Sequence, residues 1–241
     1  MSRTKKWIIA AVILVVVGAV IFVGALAAVG FDASKLETWF FHTNTYEFAD
    51  DFDSISIDTE VAGVTILPSD DDVCRVVCYE DDTLTNTVKV ENGTLSIETV
   101  NIRKWYNYIG IFSDEQSVTI YLPKDTYASL SASVTTRMIN LSDIDFETVS
   151  LEVITGEIYL EDVIASDILS ATVTTGSISL KACDAGEMYL ETTTGSIIGT
   201  VLTEKIFVAS TNLGNISIPQ TTSGGICKAT TVTGEIKLEI E

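Results

Sequence analysis

A glycine that returns every 19 or 20 residues constrains this chain more than any other feature. Five segments read LEVITGEIYL from Leu151, ATVTTGSISL from Ala171, LETTTGSIIG from Leu190, ASTNLGNISI from Ala209 and ATTVTGEIKL from Ala229. Their shared glycines are Gly156, Gly176, Gly195, Gly214 and Gly234. One earlier copy, ASVTTRMINL from Ala132, fits with Arg137 in the glycine position. Self-similarity at a short fixed period marks a repeat architecture, in which no unit can bury its own apolar face.

The columns within the repeat say how the unit folds. Two residues after the glycine stand Ile139, Ile158, Ile178, Ile197, Ile216 and Ile236. Before the glycine, apolar residues alternate with polar ones, as in a half-buried strand. The alternation shifts phase by one residue at the glycine, which predicts a bend there. Each repeat is therefore a strand, a glycine corner, a second strand and a polar return. Stacking such units gives an all-β fold: a β-solenoid, β-helix-like, with repeats of 19–20 residues and the isoleucines as its core column. A leucine-rich horseshoe has a similar period, but its L-x-x-L-x-L-x-x-N pattern is absent. The last strand, EIKLEIE over residues 235–241, is expected to leave one edge uncovered.

A second feature fixes where the domain goes. Residues Trp7 to Val29 carry no charge, and a run of this length crosses a bilayer core with some tilt. Arg3, Lys5 and Lys6 precede it, while Asp32, Lys35 and Glu37 follow. The positive-inside rule then places the N-terminus in the cytoplasm and the C-terminal domain outside. A cleaved signal peptide is the competing reading, with Ala25-Leu26-Ala27 as its small-x-small site, and would make the protein secreted. Either way the domain is exported.

The expected organisation is residues 1–6 in the cytoplasm, a transmembrane helix at 7–29 and a juxtamembrane linker at 30–49. Ser34 and Glu37 form a capping box in that linker, which signals a short helix. Residues 50–129 are β-rich but less regular, with a hairpin at Asn92-Gly93, and cap the solenoid of residues 130–241.

Composition narrows the chemistry. The formal net charge is −20, which excludes nucleic acid and anionic membrane surfaces as partners and favours cationic peptides or basic envelope proteins. The lone histidine, His42, falls in the linker, so the exported domain has no imidazole base for a Ser or Cys nucleophile. Phosphate-loop, metalloprotease and hydrolase-elbow motifs are absent. A glycosidase needs only two carboxylates, but no pair such as Asp143 and Glu147 stands out among so many.

Cys74, Cys78, Cys183 and Cys227 lack zinc spacing and read as buried free thiols. Three acidic clusters, Asp50-Asp51-Asp53, Asp70-Asp71-Asp72 and Asp81-Asp82, lack EF-hand spacing and read as solvated turns. Weak calcium binding is expected at most at Asp70, Asp71 and Asp72. No cofactor is expected.

Three passages carry a family resemblance: SISIDTEVAGVTILPSDDD, VTIYLPKDTYASLSASVTT and the recurring TTGSI. Together they resemble the bacterial adhesin-like β-strand-repeat family, domain of unknown function 4097, over about residues 50–241. The resemblance implies a cell-envelope location more firmly than adhesion. It also implies Gram-positive relatives, some tied to envelope stress. Arg137 departs from the glycine pattern at the first corner.

The leading expectation is a membrane-anchored, non-enzymatic envelope protein for surface interaction or stress sensing. The alternative is an assembly module that polymerises through solenoid ends, and the third is a carbohydrate-active envelope enzyme. The topology has a direct check. Protease added to intact cells should remove residues beyond about 45 and spare the N-terminus; protection of the whole chain would refute the membrane reading.

Overall fold

The computed structural model describes residues 3–28, 30, 41–71, 73–104 and 116–241. The sequence folds as two units, one containing the N-terminal helix and the other the strands, Phe41–Ile102 and Glu115–Glu241. Helix α1 spans Arg3–Ala28 and buries no residue within the protein. It is apolar around nearly its whole circumference, so it has no face suited to water and has the length and composition of a membrane span. The helix starts four residues before the predicted span and includes Arg3, Lys5 and Lys6. The short helix expected near Lys35 lies outside the described residues.

The strand unit is all-β. Its strands are β1 (Phe41–Phe48), β2 (Ser54–Thr59), β3 (Gly63–Pro68), β4 (Cys74–Asp81), β5 (Leu84–Glu91) and β6 (Thr94–Asn101). Then come β7 (Ser117–Leu122), β8 (Thr126–Thr136), β9 (Ile139–Ser142), β10 (Asp145–Thr155), β11 (Ile158–Glu161) and β12 (Ile164–Thr175). The last are β13 (Ile178–Thr194), β14 (Ile197–Val201), β15 (Lys205–Leu213), β16 (Ile216–Ser217), β17 (Gly225–Thr233) and β18 (Ile236–Ile240).

Successive repeats pair in parallel and in register. Leu151 sits between Ala132 and Ala171, and Val153 between Val134 and Val173. Beyond the corner, Ile158 sits between Ile139 and Ile178. Each repeat is thus one layer, and like side chains stack on like. Ile139, Ile158, Ile178, Ile197 and Ile236 are fully buried, which is the core column the periodicity predicts.

The glycines turn the layers. Gly156, Gly176, Gly195, Gly214 and Gly234 all have φ between 136° and 157°, a region that L side chains rarely adopt. They also meet: a Cβ built on Gly176 would lie 1.6 Å from the carbonyl oxygen of Gly156. The column therefore needs glycine twice over, for φ and for backbone approach. Arg137 is the exception, with φ 122°. It is the terminal member of the glycine column, and its Nε donates to the carbonyl of Val61, 3.0 Å away.

Three expectations need correction. First, the layers do not follow chain order at the C-terminal end. β13 and β14 pair with β17 and β18, and among the described residues β15 and β16 pair only with β17 and β18. The last repeat is inserted, and residues 205–217 form the end layer. The final strand is consequently paired on both sides at Ile236 and Lys237. Second, Ile216 is 44% exposed, because its layer has a neighbour on one side only. Third, part of the predicted juxtamembrane linker is β1, which pairs antiparallel with β4 along its whole length. Its alternating Phe41, Thr43, Thr45 and Glu47 gave no repeat signal.

The other end is capped by antiparallel strands. β2 and β3 lie between β8/β9 and β6/β7. β5 and β4 then close over β6 and β7. The β5–β6 hairpin turns at Asn92 (φ 53°) and Gly93 (φ 75°), the two positive φ angles that a tight hairpin of matching twist requires.

Gly176→Ala should therefore destabilise the domain by well over ~1 kcal/mol, the usual scale for a glycine with an unfavourable φ. A denaturation midpoint unchanged from the parent protein would show that the corner tolerates a side chain.

Candidate functional site

Among the described residues, those the pattern singled out do not assemble into a catalytic constellation. Asp143 receives Lys124 Nζ at 2.7 Å, and Glu147 points into solvent. Among the described residues, no three His, Cys, Asp or Glu side chains converge as metal ligands. Asp71 accepts the Ser69 hydroxyl at 2.6 Å and Arg75 Nη2 at 3.1 Å. The serine hydrogen bond, with the arginine beside it, holds its carboxyl below the usual range. Its oxygens are thus already engaged by internal donors. Asp70 is exposed, and Asp72 lies outside the described residues. His42 sits on β1, with Nδ1 3.6 Å from Asp82.

One acidic cluster is not a solvated turn. Asp81 is 2% exposed and Glu80 beside it 1%. Burying carboxylates is costly unless donors surround them. Glu80 accepts Asn44 Nδ2 at 2.7 Å, the Asn86 backbone N–H at 2.6 Å and Asn86 Nδ2 at 2.9 Å. Asp81 accepts the Thr83 backbone N–H and hydroxyl, and Gln116 Nε2 at 2.8 Å. This network ties β1, β4 and β5 to the start of β7. Sequence reasoning missed it because its members are spread from Asn44 to Gln116. The one local signal was a break in alternation, two acids in succession at the end of β4.

The C-terminal end hides a second buried charge. Lys205 is 4% exposed, with Nζ 2.5 Å from Asp184 and 2.6 Å from the carbonyl oxygen of Ala185. Lys205 pairs in register with Gly225, which has no side chain between the two partners. Such a pair, once buried, must keep both members.

The outer surface is regular. Thr136, Thr155, Thr175, Thr194 and Thr233 lie side by side in one column, and Leu213 ends it. All are exposed. Carboxylates line neighbouring positions: Glu152, Glu157, Glu191 and Glu235 are all exposed. A small cleft of about 200 Å³ lies at one side, lined by Phe48, Asp50, Asp51, Phe52, Cys74, Asp125 and Tyr127. Among the described residues, the strand unit offers long ordered faces and shallow clefts.

A family model, Toastrack DUF4097, matches residues 52–241, which is most of the chain. The chain belongs to the Toastrack family. Among solved structures, its Toastrack domain is similar to a candidate cell adhesion protein of Clostridium sporogenes at 8% identity and TM-score 0.51, over 83% of this chain and 100% of that one. It is also similar to a candidate adhesin of Bacteroides fragilis at 15% identity and TM-score 0.40, over 83% and 97% of the two chains. The first likeness shows a shared fold. No curated protein matches the chain.

All four cysteines of the Toastrack domain are buried and free. Burial pushes the Cys74 thiol from 9.0 to about 11, and those of Cys78 and Cys227 to about 12. A raised folded pKa on an acid means that the unfolded chain releases its proton first. Stability is then fully present below about pH 9 and falls as pH rises toward 11–12. Chemical denaturation at pH 8 and pH 10.5 should show the loss, and Cys78→Ala and Cys227→Ala together should flatten it. A slope unchanged by that pair would assign the alkaline loss to other groups.

Proposed function

We propose that this Toastrack protein is a non-enzymatic, membrane-anchored, extracytoplasmic module that binds cationic partners in the cell envelope. The stacked layers are a β-solenoid in this reading, and α1 is an uncleaved anchor with its N-terminus in the cytoplasm. The observation that carries the proposal is the in-register outer face. In one outer column Asp58 and Glu98 stand side by side, a strand spacing of about 4.8 Å apart, and Glu152 and Glu191 follow in alternate layers, with Ser133 and Thr172 before each. An ordered acidic face of this kind attracts basic peptides or basic patches of envelope proteins, with an affinity that salt weakens. Such a partner makes the protein an adhesin-like contact or a stress sensor.

Two features support a binding rather than a catalytic role. The thiols are held protonated by burial, which removes them as nucleophiles near neutral pH. Glu80 and Asp81, the deeply buried carboxylates, are spent on internal donors.

The test is titration of the full chain in detergent micelles with a lysine-rich peptide at low and high salt. Saturable binding at low salt that weakens at least about tenfold at high salt is expected. No binding at low salt would reduce the acidic surface to a solubility device. A fragment for such work must keep Phe41 onward, since a start at residue 46 would remove most of β1. Turnover of a glycan panel by the same protein would overturn the non-enzymatic reading.

A further inference from the structure

The end layer is an open edge of the stack. β15 and β16 pair on one side only, so among the described residues their outer backbone groups have no strand partner. Native proteins blunt such edges with charged side chains, proline or bulges, because an open edge is a template for another strand. Between Ile206 and Leu213, β15 carries none of these devices, and Pro219 stands beyond β16. No charged residue occurs between Lys205 and Lys228, in a chain of net charge −20. Lys205 itself turns inward to Asp184 and shows nothing to solvent.

The same layer is apolar where it is exposed. Ile206 is 40% exposed, Val208 51%, Leu213 68% and Ile216 44%. Phe207, Ala209 and Ile218 pack only partly against the core, since the column ends there. A bare edge, an unfinished core and a gap in the acidic surface therefore coincide.

We propose that this end is a self-association surface, on which β15 pairs antiparallel with β15 of a second copy about a two-fold axis. Charge selects that occupant. Two copies of so acidic a chain repel through their other faces, and this layer is where they meet without opposed carboxylates. Symmetry then closes the assembly, because each copy offers the same strand. Growth into a filament would instead require this edge to meet the capped end. That end presents β5 and β1, with Lys89 paired to Glu91 and with Glu47, charged groups that docking would strip of water. The pairing satisfies the outer N–H and C=O groups of β15 and covers Ile206 and Val208 or their neighbours across the axis. It is independent of what the acidic face binds.

The experiment is sedimentation of the full chain in detergent micelles, across protein concentration. The wild-type chain should reach a dimer and grow no further. Ser210→Lys with Asn212→Lys, at two exposed positions of β15, should raise the dissociation constant by at least about tenfold. The thermal midpoint and circular dichroism should stay as in the parent, which separates lost pairing from lost folding.

Cross-linking gives the second readout. The native cysteines are all buried, so Ser210→Cys supplies an accessible thiol on the edge. Mild oxidation should give a disulfide-linked dimer, and Ser133→Cys in the middle of the stack should not. A monomeric wild-type protein, a dimer indifferent to the two lysines, or growth beyond two copies would each overturn the proposal. Indifference to the lysines would assign the dimer to α1, and growth would favour end-to-end polymerisation.

Discussion

The structure depends on one close approach, backbone against backbone at the glycine corners. Each corner glycine sits where a Cβ would penetrate the carbonyl of its neighbour, at 1.6 Å for Gly176 and 1.8 Å for Gly195 and Gly234. That approach lets the layers lie at strand spacing while the chain bends. Strand spacing in turn brings like positions into register, so that Ile178 meets Ile158 and Ile197. A continuous aliphatic column follows, and with it the ordered outer face. Remove the approach, and both the core and the surface lose their periodicity together.

The two ends solve the same problem differently. A stack of layers always leaves two open faces of its core. At one end the antiparallel strands β4, β5 and β1 close over it, locked by donors to the buried Glu80 and Asp81. Those carboxylates leave no slack, because a buried acid without its donors is strongly unfavourable. At the other end the chain inserts its last repeat and leaves residues 205–217 outermost. Lys205 reaches past Gly225 to Asp184 and fixes that arrangement with a buried ion pair. The first end is sealed within the chain, and the second stays open for a neighbour.

Much of this was legible in the residues. The glycine period, the isoleucine column and the phase shift at each corner all repeat within ten residues, a range over which strand geometry alone fixes which side chains face inward. The Asn92-Gly93 hairpin was equally local. Ile216 fits the same pattern yet stands exposed, because burial depends on having a layer on either side. Asp81 reads as one more surface acid, and only the arrival of Gln116 and Asn86 makes it interior. β1 gave no signal, since its strand character comes from pairing with β4.

By itself the sequence determined the repeat unit, its corner chemistry, its inward column and the apolar helix, because each rests on steric or solvation rules acting over a few residues. Tertiary structure decided the order of the layers and which strand lies at the open end. The TTGSI-like repeats are near-equivalent in shape, so local energetics barely distinguish one stacking order from another. The choice falls to long-range contacts: Lys205 with Asp184 at one end, and Gln116 with Asp81 at the other.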